Sequence, residues 1–237
     1  MSDFEYVGNE LDLFATASNW KGYFASLLRQ YIKGRILEVG AGLGATTEAL
    51  WNESVDSWLC LEPDASLARQ LTGKLSASRW KNAKVECRVG AVAQLAPEEL
   101  FDTILYIDVL EHIENDRVEL ERASDHLAAG GSLVVLSPAF PSLESPFDSA
   151  LGHVRRYTMK SLAAVFPRQL RRERLIYADS VGALASLANR FVLRRSLPGR
   201  AQIKAWDRGM IPLSRLLDPL IGRRFGRSVI AVYSADQ

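Results

Sequence analysis

From residue 35 onward, short apolar runs alternate with stretches whose apolar residues recur every three or four positions. The runs near 36–39, 57–62, 84–89, 102–108 and 132–137 read as buried strands, and the stretches near 44–52, 64–76 and 116–128 have helical periodicity. Strands alternating with helices predict right-handed βαβ crossovers and a doubly wound α/β sheet that is largely parallel. In the third helical stretch Leu120, Ala123 and Leu127 form the sheet-facing stripe, and Gly130-Gly131 reads as its stop.

Ahead of this rhythm, Leu11, Phe14, Trp20, Phe24, Leu27, Leu28 and Tyr31 recur at helical spacings, which predicts a helical cover over the sheet or the mouth of a site. Beyond Ser137 the pattern changes. A loop with Pro138, Pro141 and Pro146 leads to a short helix after Thr158, a strand near 170–177, a helical stretch from about 181 to 222 and a last strand from Ser228 to Tyr233. No repeat or Gly/Ser linker interrupts the chain, so the reading is a single domain over 1–237. Its parts are an N-terminal helical cover (1–34), a sheet core (35–180), a helical insert (181–225) and the last strand (226–237).

Arg35-Ile-Leu-Glu-Val-Gly-Ala-Gly-Leu-Gly-Ala45 runs a buried strand into glycines and then into a helix. Gly40, Gly42 and Gly44 permit a sharp turn and the close approach of a ligand. Gly40 to Ala45 also satisfies the dinucleotide pattern G-x-G-x-x-G/A, so nicotinamide or flavin chemistry stands as a rival here. Glu38 tips the balance. A carboxylate at the end of a buried strand gains nothing beside a pyrophosphate, whereas it gains beside a cationic ligand. S-adenosylmethionine carries a sulfonium and an α-ammonium, and Glu38 can meet its methionine end directly or through water. Glu62 closes the second strand 22 residues after Gly40 and can accept hydrogen bonds from both ribose hydroxyls of either cofactor. Asp64 borders the adenine or caps the following helix, two compatible roles.

Leu37 to Gly44, Phe101-Asp-Thr-Ile-Leu-Tyr-Ile-Asp-Val-Leu-Glu-His-Ile113 and Leu127-Ala-Ala-Gly-Gly-Ser-Leu-Val-Val135 together resemble the class I S-adenosylmethionine-dependent methyltransferases. Asn19 to Tyr23, Ser145 to Thr158, Asp179 to Gly182 and Pro212 to Asp218 resemble one bacterial subgroup of that superfamily over nearly the whole chain. That subgroup has a Gly-His-x-Arg-Arg-Tyr loop after the fifth strand and is often linked with glycan or glycosyltransferase functions. The resemblance implies a Rossmann-like seven-stranded sheet whose last strand is antiparallel, with a helical insertion before that strand. It places Gly40, Gly42, Gly44 and Glu62 in the cofactor site. Many relatives carry Gly-Asp after the third strand, with the Asp on the adenine amino group. This chain has Gly90-Ala91, so adenine is expected on backbone groups near Ala91 and Val92.

Asp108-Val-Leu-Glu-His112 follows the fourth strand, whose carboxyl end points into the ligand crevice. Asp108 is therefore a candidate for the cofactor site and His112 for catalysis, with a histidine packed under the next helix as the plain alternative. Gly152-His-Val-Arg-Arg-Tyr157 lies after the fifth strand at the same edge. Methyl transfer is an in-line displacement, so the enzyme chiefly aligns its reactants. A hydroxyl acceptor must also lose a proton, and an imidazole, titrating near pH 6.5, suits that step. His153 is the expected base and Asp148 its orienting partner. Arg155 and Arg156 would grip an anionic acceptor through forked hydrogen bonds, with Tyr157 beside them. A structural loop whose arginines pair with carboxylates is the alternative. Trp206 and Asp207 line the acceptor pocket or serve as packing, His126 reads as a helix-surface residue, and Arg168, Arg171, Arg172 and Arg174 mark an edge strand.

The two cysteines, Cys60 and Cys87, read as buried free thiols without metal-ligand spacing, and no metal site is expected. The net charge of +1 conceals an asymmetry: residues 1–149 carry 12 Lys+Arg against 23 Asp+Glu, and residues 150–237 carry 17 against 5. A basic final third suits an acidic acceptor or an anionic membrane surface, and with no nucleic-acid-binding motif present no nucleic-acid partner is expected. The first thirty residues lack a signal pattern, and Asn189 and Arg190 interrupt the apolar stretch from Val181 to Leu193, which predicts a cytoplasmic protein without a transmembrane segment. The combined expectation is O-methylation of a small or lipid-linked, acidic or sugar-derived acceptor. The alternatives are N- or C-methylation of a secondary metabolite, and a non-catalytic cofactor-binding module that recruits a partner or a membrane.

Overall fold

The computed structural model describes residues 16–77, 84–188 and 199–236. Strands β1 (Gly34–Val39), β2 (Val55–Glu62), β3 (Val85–Val89), β4 (Phe101–Ile107), β5 (Leu127–Pro138), β6 (Arg171–Ala178) and β7 (Ser228–Ser234) form one sheet in the order β3-β2-β1-β4-β5-β7-β6. β7 runs antiparallel to both its neighbours, and the remaining pairs are parallel. The strand order reverses between β1 and β4, and this switch point opens a crevice at the strands' carboxyl ends.

Alternate side chains of each central strand enter opposite layers. Ile36, Trp58, Leu105, Val134 and Val232 pack on one face with Phe24 and Trp206. Leu37, Leu59, Ile104, Val135 and Ala231 pack on the other with Leu120, Ala123, Leu162 and Phe166. Burial on both faces explains why these strands are nearly continuous apolar runs. The helices follow in chain order: α1 (Ser18–Leu28), α2 (Ala45–Leu50), α3 (Ala65–Ala77), α4 (Asp116–Asp125), α5 (Pro146–Ala150), α6 (Met159–Val165), α7 (Ser180–Ala188), α8 (Arg200–Ala205) and α9 (Ile211–Leu220), with a π-helical turn, Trp206–Met210, joining the last two. Leu11, Phe14 and residues 189–198 of the insert lie outside the described residues.

Two expectations require correction. The helix expected over 116–128 ends at Asp125, and Leu127 already belongs to β5. The chain leaves the helix early because Phe101 N–H takes the His126 carbonyl at 2.8 Å, starting the β4–β5 pairing. Gly130-Gly131 is instead an irregularity within β5. Gly130 has φ +67°, and a Cβ on Gly131 would lie 2.8 Å from the Ala128 carbonyl oxygen. His126 is buried and not at the surface, its Nδ1 lying 2.9 Å from the Glu99 carbonyl oxygen.

Three buried aspartates tie α1 and the insert into a roof over the sheet. Asp207 accepts from Trp20 N–H at 2.8 Å and from Asn19 Nδ2 at 3.0 Å. Asp218 accepts from the Tyr23 hydroxyl at 2.6 Å and from the Asp179 and Ser180 amides at 2.7 and 3.0 Å. Asp179 accepts from Trp206 Nε1 at 2.8 Å and Ser214 Oγ at 2.7 Å. A Cβ on Gly182 would lie 2.0 Å from the Asp179 carboxylate, which is why glycine stands there. Buried carboxylates persist only where donors surround them, and each of these three is so surrounded. Among the described residues no helix is long and apolar enough to cross a membrane.

Candidate active site

A cavity of about 380 Å³ opens at the carboxyl ends of β1 and β4, beneath Trp20, Phe24 and Trp206 of the roof. One wall is the turn after β1. Gly40, Gly42 and Gly44 have φ of +66°, +53° and +76°, a backbone path that other residues rarely follow. The backbone of Gly40 to Gly42 faces the cavity, and Gly40 N–H is anchored on the Leu61 carbonyl at 2.8 Å. A Cβ on Gly40 would lie 2.7 Å from the Val109 side chain, and one on Gly44 would lie 2.6 Å from Leu71. Both glycines therefore admit neighbouring side chains as well as the turn, and Gly44 sits at the amino end of α2, away from the cavity.

Glu38 does not reach the cavity, contrary to expectation. Its pleat position turns it beneath α2, where Oε2 accepts from Thr47 Oγ1 at 2.5 Å and Trp58 Nε1 at 2.8 Å. Burial pushes its carboxyl up to about 7 despite these donors. Glu62 braces the turn from behind, accepting from Gly42 N–H at 2.7 Å and Asp64 N–H at 3.0 Å, and burial raises its pKa as well. Asp64 is an N-cap, with Oδ1 2.7 Å from Ser66 N and 3.0 Å from Leu67 N. Ala91 and Val92 do not line the cavity. Ala91 N–H is taken by Gln94 Oε1 at 2.8 Å and its carbonyl by Gln94 N–H, while the Val92 side chain is fully buried in the core. The local turn thus uses the Ala91 amide and carbonyl and the Val92 carbonyl.

The opposite wall is built around Asp148. Its Oδ2 accepts from Ser145 N–H and Oγ, each at 2.8 Å, and its Oδ1 lies 3.0 Å from His153 Nδ1 and 2.8 Å from Arg156 Nε. Burial opposes ionisation, but the hydrogen bond from His153 and the charge of Arg156 hold the carboxyl well below the usual range. His112 meets His153 edge to face, with ring centroids 4.7 Å apart. Burial and the His153 charge hold His112 down at about 4, so it is neutral at pH 7. Asp108, with φ +54° at the end of β4, lines the same space, and desolvation raises it to about 6 against the pull of His153, Arg227 and Arg156.

Glu111 belongs to the cavity lining, yet the sequence reading assigned it no role. It is fully buried; Oε2 accepts from Ser137 Oγ at 2.9 Å, and Oε1 has no hydrogen-bond partner. Burial and the Asp108 charge raise its carboxyl well above the usual range. Its one signal in the sequence is a charged residue directly before His112 where the helix-turn packs inward. Arg227, at the end of the insert, was also missed; its guanidinium lies 5.0 Å from the Trp206 ring centre and lines the cavity.

Arg155 and Tyr157 face away from the cavity and are corrected to structural roles. Arg155 Nη1 lies 2.7 Å from Asp116 Oδ2, and Nη2 donates to the Glu114 carbonyl at 2.7 Å. The Tyr157 hydroxyl donates to the same Asp116 oxygen at 2.7 Å, and its backbone pairs with Ala139. Alternation explains the split: with Arg156 turned onto Asp148, its two neighbours point away from the cavity, Tyr157 into the buried core. Trp206 lines the cavity, whereas Asp207 is spent on α1. Cys60 is a buried free thiol, as expected, whereas Cys87 is free but only half-buried.

The residues present fit a cationic nucleoside: the Gly40–Gly42 backbone forms part of one wall, and the Asp108 carboxylate lines the same cavity. Residues 37–133 match the sequence model of a methyltransferase-domain family, described as methyltransferase domain. The matched segment is similar to a methyltransferase domain, and the sheet order is that of a Rossmann-like methyltransferase fold. A curated relative, a protein of Salinispora arenicola described as a probable non-canonical nonribosomal peptide synthetase, CymA, is 26% identical over 119 residues. That match covers 49% of this chain, and the chain spans only 2% of the length of that protein. The fold is shared with the N-methyltransferase NodS of Bradyrhizobium japonicum WM9, solved with S-adenosyl-L-homocysteine: TM-score 0.62, 14% identity, 98% of this chain and 95% of that one. It is shared too with the [4+2]-cyclase SpnF: TM-score 0.59, 14% identity, 91% of this chain and 81% of that one.

Proposed function

We propose that the chain methylates a hydroxyl oxygen of a small or lipid-linked acceptor that carries an acidic or sugar-derived part. The observation that carries this reading is the cluster His153–Asp148–Arg156, set across the cavity from the Gly40–Gly42 turn. S-adenosylmethionine, when bound, supplies an electrophilic methyl group on its sulfonium. Gly40, Gly42 and Asp108 are assigned to hold it, with Glu62 bracing the turn from behind through Gly42 N–H. His153, fixed by Asp148 through Nδ1, is the side chain assigned to activate the acceptor hydroxyl, with His112 beside it. Arg156, paired with Asp148 and lining the cavity, adds positive charge that would favour an anionic group on the acceptor, and the buried walls exclude water from the reacting atoms.

A lipid-linked acceptor is supported by the outer face of α9. Leu213, Leu216, Leu217 and Leu220 are exposed there beside the exposed Arg208, Arg215 and Arg224, a mixture suited to the interface of an acidic bilayer on the cytoplasmic side. Salt-sensitive co-sedimentation with anionic vesicles is the expected behaviour, and indifference to vesicle charge would remove the lipid-linked form. The central test is isothermal titration with S-adenosylmethionine and with NAD, paired with His153→Ala. The nucleoside sulfonium should bind and NAD should not. The variant should lose turnover with cofactor affinity retained, whereas tight binding of NAD alone, or undiminished turnover, would end the reading.

A further inference from the structure

Glu111, His112 and His153 offer three donor atoms that all lie within 4.8 Å of one another on the wall of the cavity. They come from the turn after β4 and the loop after β5, so the parallel pairing of those two strands brings them together rather than a contiguous motif. We infer that this trio is a binding site for a borderline divalent cation, one imidazole nitrogen from each histidine and Glu111 Oε1 completing a face of its coordination shell.

Four features point the same way. Glu111 Oε1 is fully buried and unpartnered, an arrangement that costs free energy unless something fills it. Two imidazoles and one carboxylate are a donor set suited to Mn²⁺, Fe²⁺, Co²⁺ or Zn²⁺. His153 presents Nδ1 to Asp148, the outer carboxylate that commonly orients a metal-bound histidine and leaves its Nε2 for the ion. Asp108 lines the same cavity and adds a further carboxylate beside the trio. Donors around a bound ion sit about 3 Å apart at metal–ligand distances of about 2.0–2.2 Å, so binding draws the trio inward.

A three-donor set leaves coordination positions open toward the cavity, beside Asp108 and across from the Gly40–Gly42 turn. Resting on the hydroxyl-acceptor reading above, the ion would take two neighbouring oxygens of the acceptor, such as a vicinal diol or a hydroxy acid. It would lower the pKa of the hydroxyl it binds, so that the proton passes to solvent before transfer, and fix that oxygen to take the methyl carbon as the sulfonium C–S bond breaks and S-adenosylhomocysteine leaves. His153 then activates the hydroxyl by holding the ion.

The test is titration of chelator-stripped full-length protein with Mn²⁺, followed by calorimetry and by loss of the free-ion electron paramagnetic resonance signal. One ion per chain is expected. Glu111→Gln and His112→Ala should each weaken binding by about a hundredfold, and Asp148→Asn by about tenfold, the range for a second-shell change. Thermal melting checks that each variant is folded; if Glu111→Gln is not, His112→Ala decides. No stoichiometric binding, or binding that Glu111→Gln and His112→Ala leave unchanged, overturns the inference. S-adenosylmethionine titrated in the presence of chelator separates the two claims. Its binding without Mn²⁺ binding sinks the cation site alone, and Mn²⁺ binding without it sinks the methyltransferase reading and keeps the site.

Discussion

Replacing Glu38 by Gln should reverse its effect on stability between acid and alkaline pH. The native carboxyl titrates at about 7 and its ordinary value is 4.5, because burial beneath α2 outweighs the donors Thr47 and Trp58. A raised native pKa means that the folded state holds the proton more tightly. Its contribution is therefore fully present below pH 4.5 and is lost as pH rises through 7. At about 1.4 kcal/mol for each pH unit of separation, ionising Glu38 in place costs about 3 kcal/mol. Gln keeps one oxygen for Thr47 Oγ1 and Trp58 Nε1 and cannot ionise, at a loss of about 1 kcal/mol where its amide nitrogen replaces the second acceptor. The variant should thus be less stable by about 1 kcal/mol near pH 4.5 and more stable by about 2 kcal/mol at pH 8. Urea denaturation of both proteins across that range measures the difference. Curves that stay parallel at all pH values would refute the reasoning, because they would mean that Glu38 does not titrate between the two states.

Asp218→Ala should destabilise by about 4 kcal/mol, since it strands three buried donors, the Tyr23 hydroxyl and the Asp179 and Ser180 amides; chemical denaturation checks this. Gly40→Ala should cost about 2–3 kcal/mol through its positive φ and the Val109 contact at 2.7 Å, with cofactor affinity falling in calorimetry. Tyr157→Phe should lose about 1–2 kcal/mol with the Asp116 hydrogen bond while leaving S-adenosylmethionine affinity unchanged, in keeping with its place outside the cavity.

The sheet was legible because burial on two faces writes itself as unbroken apolar runs, and Ile104 to Ile107 or Leu133 to Leu136 could hardly be anything else. The glycine turn was legible because positive φ at Gly40, Gly42 and Gly44 leaves few other residues possible. What stayed hidden depended on direction rather than residue type. Glu38 is a plausible ligand contact until the pleat turns it under α2. Arg155, Arg156 and Tyr157 look equivalent until one of them claims Asp148 and its neighbours are sent to Asp116. Gly130-Gly131 carries the composition of a helix stop, but pairing with Phe101 had already begun the strand. Glu111 was overlooked because an acidic residue beside a histidine implies nothing until the fold removes water from one of its oxygens.

The ties between α1 and the insert join residues far apart in the chain, with 188 positions between Asn19 and Asp207 and 195 between Tyr23 and Asp218. Such long loops close at an entropic cost that no local contact repays, so these hydrogen bonds become favourable only after every strand between them has assembled. The pocket under this roof is therefore expected to form late in folding. A ligand that lodges there meets only the finished fold, and it should slow unfolding rather than speed folding.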